Sequence, residues 1–179
     1  MLEWLIDLDG GLLLWIQEYL RGPVLNTVFT WYTSLGNAGT LFLVLGVLML
    51  FFKRTRKAGV TVLVAMAIGL VCTNLVLKNL VARPRPWLNV AGLVPLIHEG
   101  DPNSFPSGHT TAAFAFAGAV IWAAPRKWMR WAALIAAILM GFSRLYVGVH
   151  YVSDVLAGVV IGLLAGLLAW KLVGNRKRL

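Results

Sequence analysis

The chain has 179 residues, of which 59% are hydrophobic and only 13% charged, and its mean hydropathy is +0.78. Soluble domains carry about a quarter charged residues, so the composition excludes a disordered chain and argues against an ordinary soluble globule. A net charge of +9 would suggest nucleic acid in a soluble protein, but in so apolar a chain it points to a membrane with basic loops, and no nucleic-acid partner is expected. The single cysteine, Cys72, leaves no intrachain disulfide and no cysteine metal cluster.

In chain order, residues 1–38 come first. They are apolar but interrupted by Asp7, Asp9, Glu18, Arg21 and Pro23 and studded with Trp4, Trp15, Trp31 and Tyr32. This pattern reads as interfacial helices lying on the membrane surface; the rival reading makes part of it a further span. Five apolar stretches follow, over 39–52, 58–77, 110–124, 128–147 and 151–173. The first and third are short for a bilayer core of about 30 Å, which wants roughly 20 residues. None alternates with the period of two of a membrane barrel, so all five read as helices. Glycines and alanines in the last three allow close backbone approach. The expected fold is all-α: a polytopic membrane bundle of five helices, or six on the rival reading. It forms one domain over 1–179, with a surface segment 1–38, a bundle 39–173 and a basic tail 174–179.

Charge sets the orientation. Lys53, Arg54, Arg56 and Lys57, then Arg126, Lys127 and Arg130, then Lys171, Arg176, Lys177 and Arg178 fall on one side if the spans alternate. By the positive-inside rule that side, with the C-terminus, is cytoplasmic. The acids and the three histidines fall on or near the other side.

Ionisable residues near membrane depth are functional candidates by default, and three groups of them meet at the outer ends of the last four spans. Lys78, Arg83 and Arg85 form the first, Pro106-Ser107-Gly108-His109 the second, and Ser143-Arg144 with His150 and Asp154 the third. Lys78, Arg85 and Arg144 supply fixed positive charge, and arginine can fork two donors onto phosphate oxygens. Ser107 is a good N-cap and Gly108 leaves the backbone bare, so the helix start offers N–H groups to an anion, with His109 beside it. Asp154 follows His150 by four residues, one helical face, and a carboxylate on one imidazole nitrogen leaves the other free to attack. Taken singly, each group has a plainer reading: a boundary cation, a helix cap, a structural His–Asp pair. Two histidines could hold haem, which leaves three cations unexplained, and the same cations oppose a metal ion; neither a metal nor another cofactor is expected. Glu99 and Asp101, in the 87–105 loop, read as solvated surface charges. Trp31, Tyr32, Trp87 and Phe105 read as headgroup-level aromatics, and the loop as part of a lid.

These groups resemble the signature of the type 2 phosphatidic acid phosphatase superfamily. Its first motif is lysine, six residues, then Arg-Pro, matched by Lys78 and Arg85-Pro86. The second, Pro-Ser-Gly-His, is Pro106 to His109, and the third is Ser143, Arg144, His150 and Asp154. A second Arg-Pro pair at Arg83 has the wrong spacing from Lys78, which leaves Arg83 as an auxiliary or boundary charge. The resemblance implies a metal-independent membrane lipid phosphatase acting through phosphohistidine. His150 would be the nucleophile, Asp154 its orienting partner and His109 the general acid. Lys78, Arg85, Ser107, Gly108 and Arg144 would hold the phosphoryl oxygens. The substrate implied is a phosphorylated membrane lipid at the outer surface: undecaprenyl pyrophosphate first, phosphatidylglycerophosphate second, then phosphatidic acid or a lipid A phosphate. A lipid transporter or flippase is the rival from another class.

Overall fold

The protein is described by a computed structural model covering residues 2–174. Among these residues the secondary structure is helical, apart from an isolated bridge between Pro84 and Asn103. In order come α1 (Leu2–Tyr19), α2 (Pro23–Leu35), a 3-10 turn (Asn37–Gly39), α3 (Thr40–Leu50) and α4 (Arg56–Leu70). A π-helical stretch, Val71–Leu77, continues α4 into α5 (Lys78–Val81). The single turn α6 (Pro86–Asn89) precedes α7 (Gly108–Ala123), α8 (Lys127–Tyr146) and α9 (Val152–Gly174).

All five expected helices form among the described residues, while three of the helices there, or four with a bent pair, qualify as spans by length and composition. Among the described residues, three helices are individually long and apolar enough to cross a membrane: Arg56–Val81, Lys127–Tyr146 and Val152–Gly174. The span expected over 39–52 is one arm of a bent pair, Pro23–Leu35 with Asn37–Leu50, broken by 51°. The break sits where Ala38 and Gly39 take φ of 51° and 71°. Gly39 also lies against Met66 and Ala112, where a Cβ would come within 3.0 Å of Met66 Cε. Pro23 at the first helical position starts α2, where its missing N–H costs nothing. The 16-residue α7 rises only about 24 Å, short of a full core crossing. The basic tail with Arg176, Lys177 and Arg178 lies outside the described residues.

Helix α7 is the axis of the bundle, packed against α9, α8 and α4. Its side chains from Thr110 to Val120 are almost all buried, as an all-round apolar helix requires. The closest approach is to α9, through Gly158, Gly162 and Gly166 at four-residue spacing. A Cβ on Gly162 would sit 2.7 Å from both Phe114 Cβ and Thr111 O, and one on Gly166 2.7 Å from Ala119 N. Such backbone contact is what small-residue stripes in membrane helices permit. The outward faces of α3, α4, α8 and α9 remain apolar and exposed, with Trp128 and Trp131 among them. Arg54, Thr55, Pro125 and Arg126 line a second cavity of ≈ 760 Å³. That cavity gathers two of the basic turns at the ends of α4 and α7 remote from Lys78 and Gly108.

Candidate active site

The third group of residues is a helix, a turn and a second helix start. Helix α8 ends at Tyr146, and Gly148 takes φ of 78°, the left-handed conformation that glycine supplies past a helix end. Around it Val147 N, Gly148 N and Val149 N donate to Ser143 O, Leu145 O and Arg144 O. Val149 and His150 then turn inward before α9 begins at Val152. His150 therefore lies before the helix and not on it, which corrects the expectation of a shared helical face. Asp154 reaches back as the third residue of α9, and its Oδ2 accepts from Tyr151 N at 2.9 Å, one half of a capping box. The same Oδ2 faces His150 Nδ1 at 3.5 Å, a charge contact longer than a hydrogen bond.

The other imidazole nitrogen has a defined partner. Arg85 Nη1 lies 3.1 Å from His150 Nε2 and donates to Val149 O at 3.0 Å. A guanidinium only donates, so Nε2 accepts and the ring proton resides on Nδ1, which makes no hydrogen bond among the described residues. His150 is buried. Burial first, then the charges of Arg144, Arg85 and Lys78, hold its imidazole well below the ordinary histidine range. It is neutral, with a lone pair on Nε2.

The second group opens α7. Ser107 is its N-cap; its Oγ accepts from Thr110 N at 3.4 Å and from Thr110 Oγ1 at 2.9 Å. Ser107 N donates to Asp154 O at 3.1 Å, so the starts of α7 and α9 are joined. His109 Nε2 pairs with Asn37 Oδ1 at 3.1 Å. From the first group, Lys78 follows the π-helical stretch. That stretch puts Thr73 and Asn74 on the same wall as Lys78, in keeping with the concentration of π turns at functional sites.

Five of the eight expected residues, Lys78, Arg85, Gly108, His109 and His150, line one cavity of ≈ 600 Å³. Ser107, Arg144 and Asp154 stand behind its wall, all buried. Arg144 donates through Nη1 to Thr33 Oγ1 at 2.5 Å and pairs through Nη2 with Glu99, while its buried Nε has no protein acceptor among the described residues. From the polar end the cavity continues between α3 and α4 along Leu43, Leu63, Met66 and Leu70.

The reading of Glu99 and Asp101 as solvated surface charges is refined here: Glu99 pairs with Arg144, and Asp101, whose side chain stays 41% exposed, pairs with Lys78. Buried cations need compensation, and the 87–105 loop supplies it. Partial burial pushes the Asp101 carboxyl up, but the Lys78 contact and the Asn103 N–H outweigh this and hold it below its ordinary value. Burial lowers Arg85, against which Glu99, Asp101 and Asp154 act. Arg83, expected as an auxiliary or boundary charge, donates to Asp154 Oδ1 at 2.8 Å, which fits the auxiliary role. Thr33, Asn37 and Asn74 were not singled out from sequence. They are uncharged, and two of them lie on the N-terminal segment, where only tertiary packing reveals them.

The fold and the cavity define an all-helical membrane protein with a buried cationic pocket holding two histidines. The chain belongs to the PAP2 superfamily, which it matches over residues 58–178. It is 38% identical over 115 residues to an undecaprenyl-diphosphatase of Sulfolobus acidocaldarius, covering 64% of this chain. That match spans about half, 55%, of the Sulfolobus protein. Phosphatidylglycerophosphatase B of Bacillus subtilis is 34% identical over 157 residues, covering 81% of this chain and 73% of the relative. The crystal structure of a transmembrane PAP2-type phosphatidylglycerolphosphate phosphatase from Bacillus subtilis superposes with a TM-score of 0.77 at 32% identity. The superposition covers 96% of this chain and 87% of that one.

Proposed function

We propose that the protein is a membrane lipid phosphatase that removes phosphate from a phosphomonoester or pyrophosphate headgroup through a phosphohistidine at His150. The observation that carries the reading is the setting of His150: Nε2 lies 3.1 Å from Arg85 Nη1, and Nδ1 lies on the Asp154 side, 3.5 Å from its Oδ2. His150 Nε2 attacks phosphorus, the bond from phosphorus to the leaving oxygen breaks, and His109 gives that oxygen its proton. A water then attacks, its proton passes to His109, and the phosphorus–nitrogen bond breaks to release inorganic phosphate and free His150. Lys78, Arg85, Arg144 and the N–H of Gly108 hold the equatorial oxygens, where the charge of a phosphoryl transition state is spread. Ser107 keeps the start of α7 in place for them. Arg144 Nε has the donor an oxyanion needs, and the cationic donor set fits an anion rather than a metal ion. The reaction is accordingly metal-independent in this reading.

Undecaprenyl pyrophosphate is the preferred substrate, with phosphatidylglycerophosphate second and phosphatidic acid after it. Relatives named undecaprenyl-diphosphatase and phosphatidylglycerophosphatase B support the first two, and the apolar extension of the cavity between α3 and α4 suits a lipid tail. The positive-inside rule, applied to the basic turns, supports a cavity on the outer side of the cytoplasmic membrane and a C-terminus inside. The test is phosphate release from undecaprenyl pyrophosphate and from phosphatidylglycerophosphate in detergent with excess EDTA, comparing wild type with His150→Ala. Release that survives EDTA and disappears in the variant is expected, and the faster lipid ranks the substrates. A folded wild-type protein that binds both lipids and releases no phosphate would overturn the reading in favour of a transporter.

A further inference from the structure

Behind Asp154 lies a group that the proposed chemistry does not use. The Arg83 guanidinium stacks on the Tyr151 ring, 3.8 Å from its centroid. Its Nη1 donates to Asp154 Oδ1 at 2.8 Å and to Ser153 Oγ at 2.6 Å, and its Nη2 donates to Asp9 Oδ2 at 3.2 Å. Asp9, on α1, is itself buried, at 9% exposure. It also accepts from Ser153 N at 3.3 Å and from Ser153 Oγ. The Arg83 carbonyl accepts from Ser104 N at 2.7 Å, so the arginine is held at both ends.

We infer that Asp9 and Arg83 are positioning residues for the His150–Asp154 pair, and that α1 thereby completes the active site. The inference rests on the phosphohistidine reading. Asp154 has two oxygens: Oδ2 accepts from Tyr151 N and lies 3.5 Å from His150 Nδ1, and Oδ1 accepts from Arg83. An arginine facing a lone carboxylate takes both oxygens in a fork. Asp9 prevents that by engaging Nη2, so that Arg83 touches only Oδ1 and Oδ2 stays turned to the imidazole. The charge count agrees. Asp9, Arg83 and Asp154 sum to one negative charge behind His150. When Nε2 bonds to phosphorus and Nδ1 keeps its proton, the ring becomes cationic, and that surplus charge stabilises it. With Asp9 neutral the sum is zero, and the freed Arg83 nitrogen swings to Oδ2.

The experiment uses the full chain in detergent with undecaprenyl pyrophosphate as substrate. Asp9→Asn, Asp9→Glu and Arg83→Lys are compared with wild type for kcat, KM, Tm and the amount of acid-labile phosphohistidine trapped from labelled lipid. Asp9→Asn is expected to lower kcat about tenfold to a hundredfold, the scale on which outer partners of functional histidines act. KM should stay within about twofold, and less phosphoenzyme should be trapped. Asp9→Glu should restore most of kcat, because it returns the charge, while Arg83→Lys, which cannot hold two carboxylates in one plane, should not. A residue that merely anchors α1 would change Tm and leave kcat alone, and that result overturns the inference without touching the phosphatase reading. Absence of release from wild type overturns both.

Discussion

Replacing Gly162 with alanine tests whether the α7–α9 contact sets the geometry of the site. The added Cβ would lie 2.7 Å from Phe114 Cβ and Thr111 O and 2.8 Å from Ala115 N. Ordinary carbon contacts lie near 3.5–4.0 Å, and two of the opposing atoms are backbone, which no rotamer change can remove. The helices must therefore part by about 0.7–1 Å, a small-to-large strain worth about 1–3 kcal/mol. One turn nearer the cavity, Gly158 faces Ser107 O and Thr110 at 2.9 Å, and Ser107 N is bonded to Asp154 O. Separation at Gly162 is therefore passed to the anion cap and to the residue that orients His150. A displacement of about 1 Å in a reacting constellation costs on the order of a hundredfold in rate. The expectation is a lower Tm, read by tryptophan fluorescence in detergent, together with a fall in kcat for phosphate release of one to two orders of magnitude. Gly11→Ala is the control: it sits in α1 with nothing within 4 Å of its Cβ, and alanine there removes backbone entropy from the unfolded chain, so Tm should hold or rise slightly. Wild-type Tm and kcat in Gly162→Ala would refute the argument, as would an equal loss in Gly11→Ala.

Other predictions follow from the charges. Glu99→Gln leaves buried Arg144 without its carboxylate, a cost of about 1–3 kcal/mol; Tm should fall, and orthovanadate should raise it by more than in wild type, whereas equal vanadate shifts would detach Glu99 from the anion site. Because the His150 imidazole is held below its ordinary value, the unfolded chain takes up the proton first as pH drops through about 6.5. The unliganded protein should thus lose stability below that pH, while the acid limb of kcat/KM, after allowance for the substrate's own ionisation, should lie below it too. A limb at 6.5 or higher would contradict the buried, neutral histidine. Finally, Gly100→Cys, placed on the exposed loop beside the cavity in a Cys72→Ser background, should react with an impermeant maleimide in intact cells; reaction only after permeabilisation would invert the orientation.

What the sequence made legible depended on local signals. Periodicity and apolar runs located α4, α8 and α9 to within a few residues, because each is long and uninterrupted. The cap at Ser107 and the charges at Lys78, Arg85 and Arg144 stood out because such residues are costly in an apolar chain. The bend at Ala38 and Gly39 falls at the expected boundary between residues 1–38 and the run 39–52, but its angle was not legible; Gly39 there lies against Met66 and Ala112. The His150–Asp154 contact was anticipated from helical spacing, yet it arises from a turn that Gly148 closes. The two side chains come within 3.5 Å because a carboxylate at the third helical position reaches back to the residues before the helix.

The partners of Glu99, Asp101 and Arg83 escaped the sequence for one physical reason. Sequence context judges a charge by its neighbours in the chain, and these reveal a distant partner neither for the acids of a polar loop nor for an arginine at a span end. The governing constraint is the charge balance of the buried cluster. Lys78, Arg83 and Arg144, gathered in and around one cavity, cannot stand uncompensated in a low-dielectric interior. A fold that builds such a cluster therefore needs carboxylates within reach of it. Glu99 on Arg144 and Asp101 on Lys78 meet that need from the loop, and Asp9 on Arg83 meets it from α1. The same rule runs in reverse: once buried cations are read from a sequence, acids in the flexible segments around them are the first candidates for their partners, even where the local sequence says solvent.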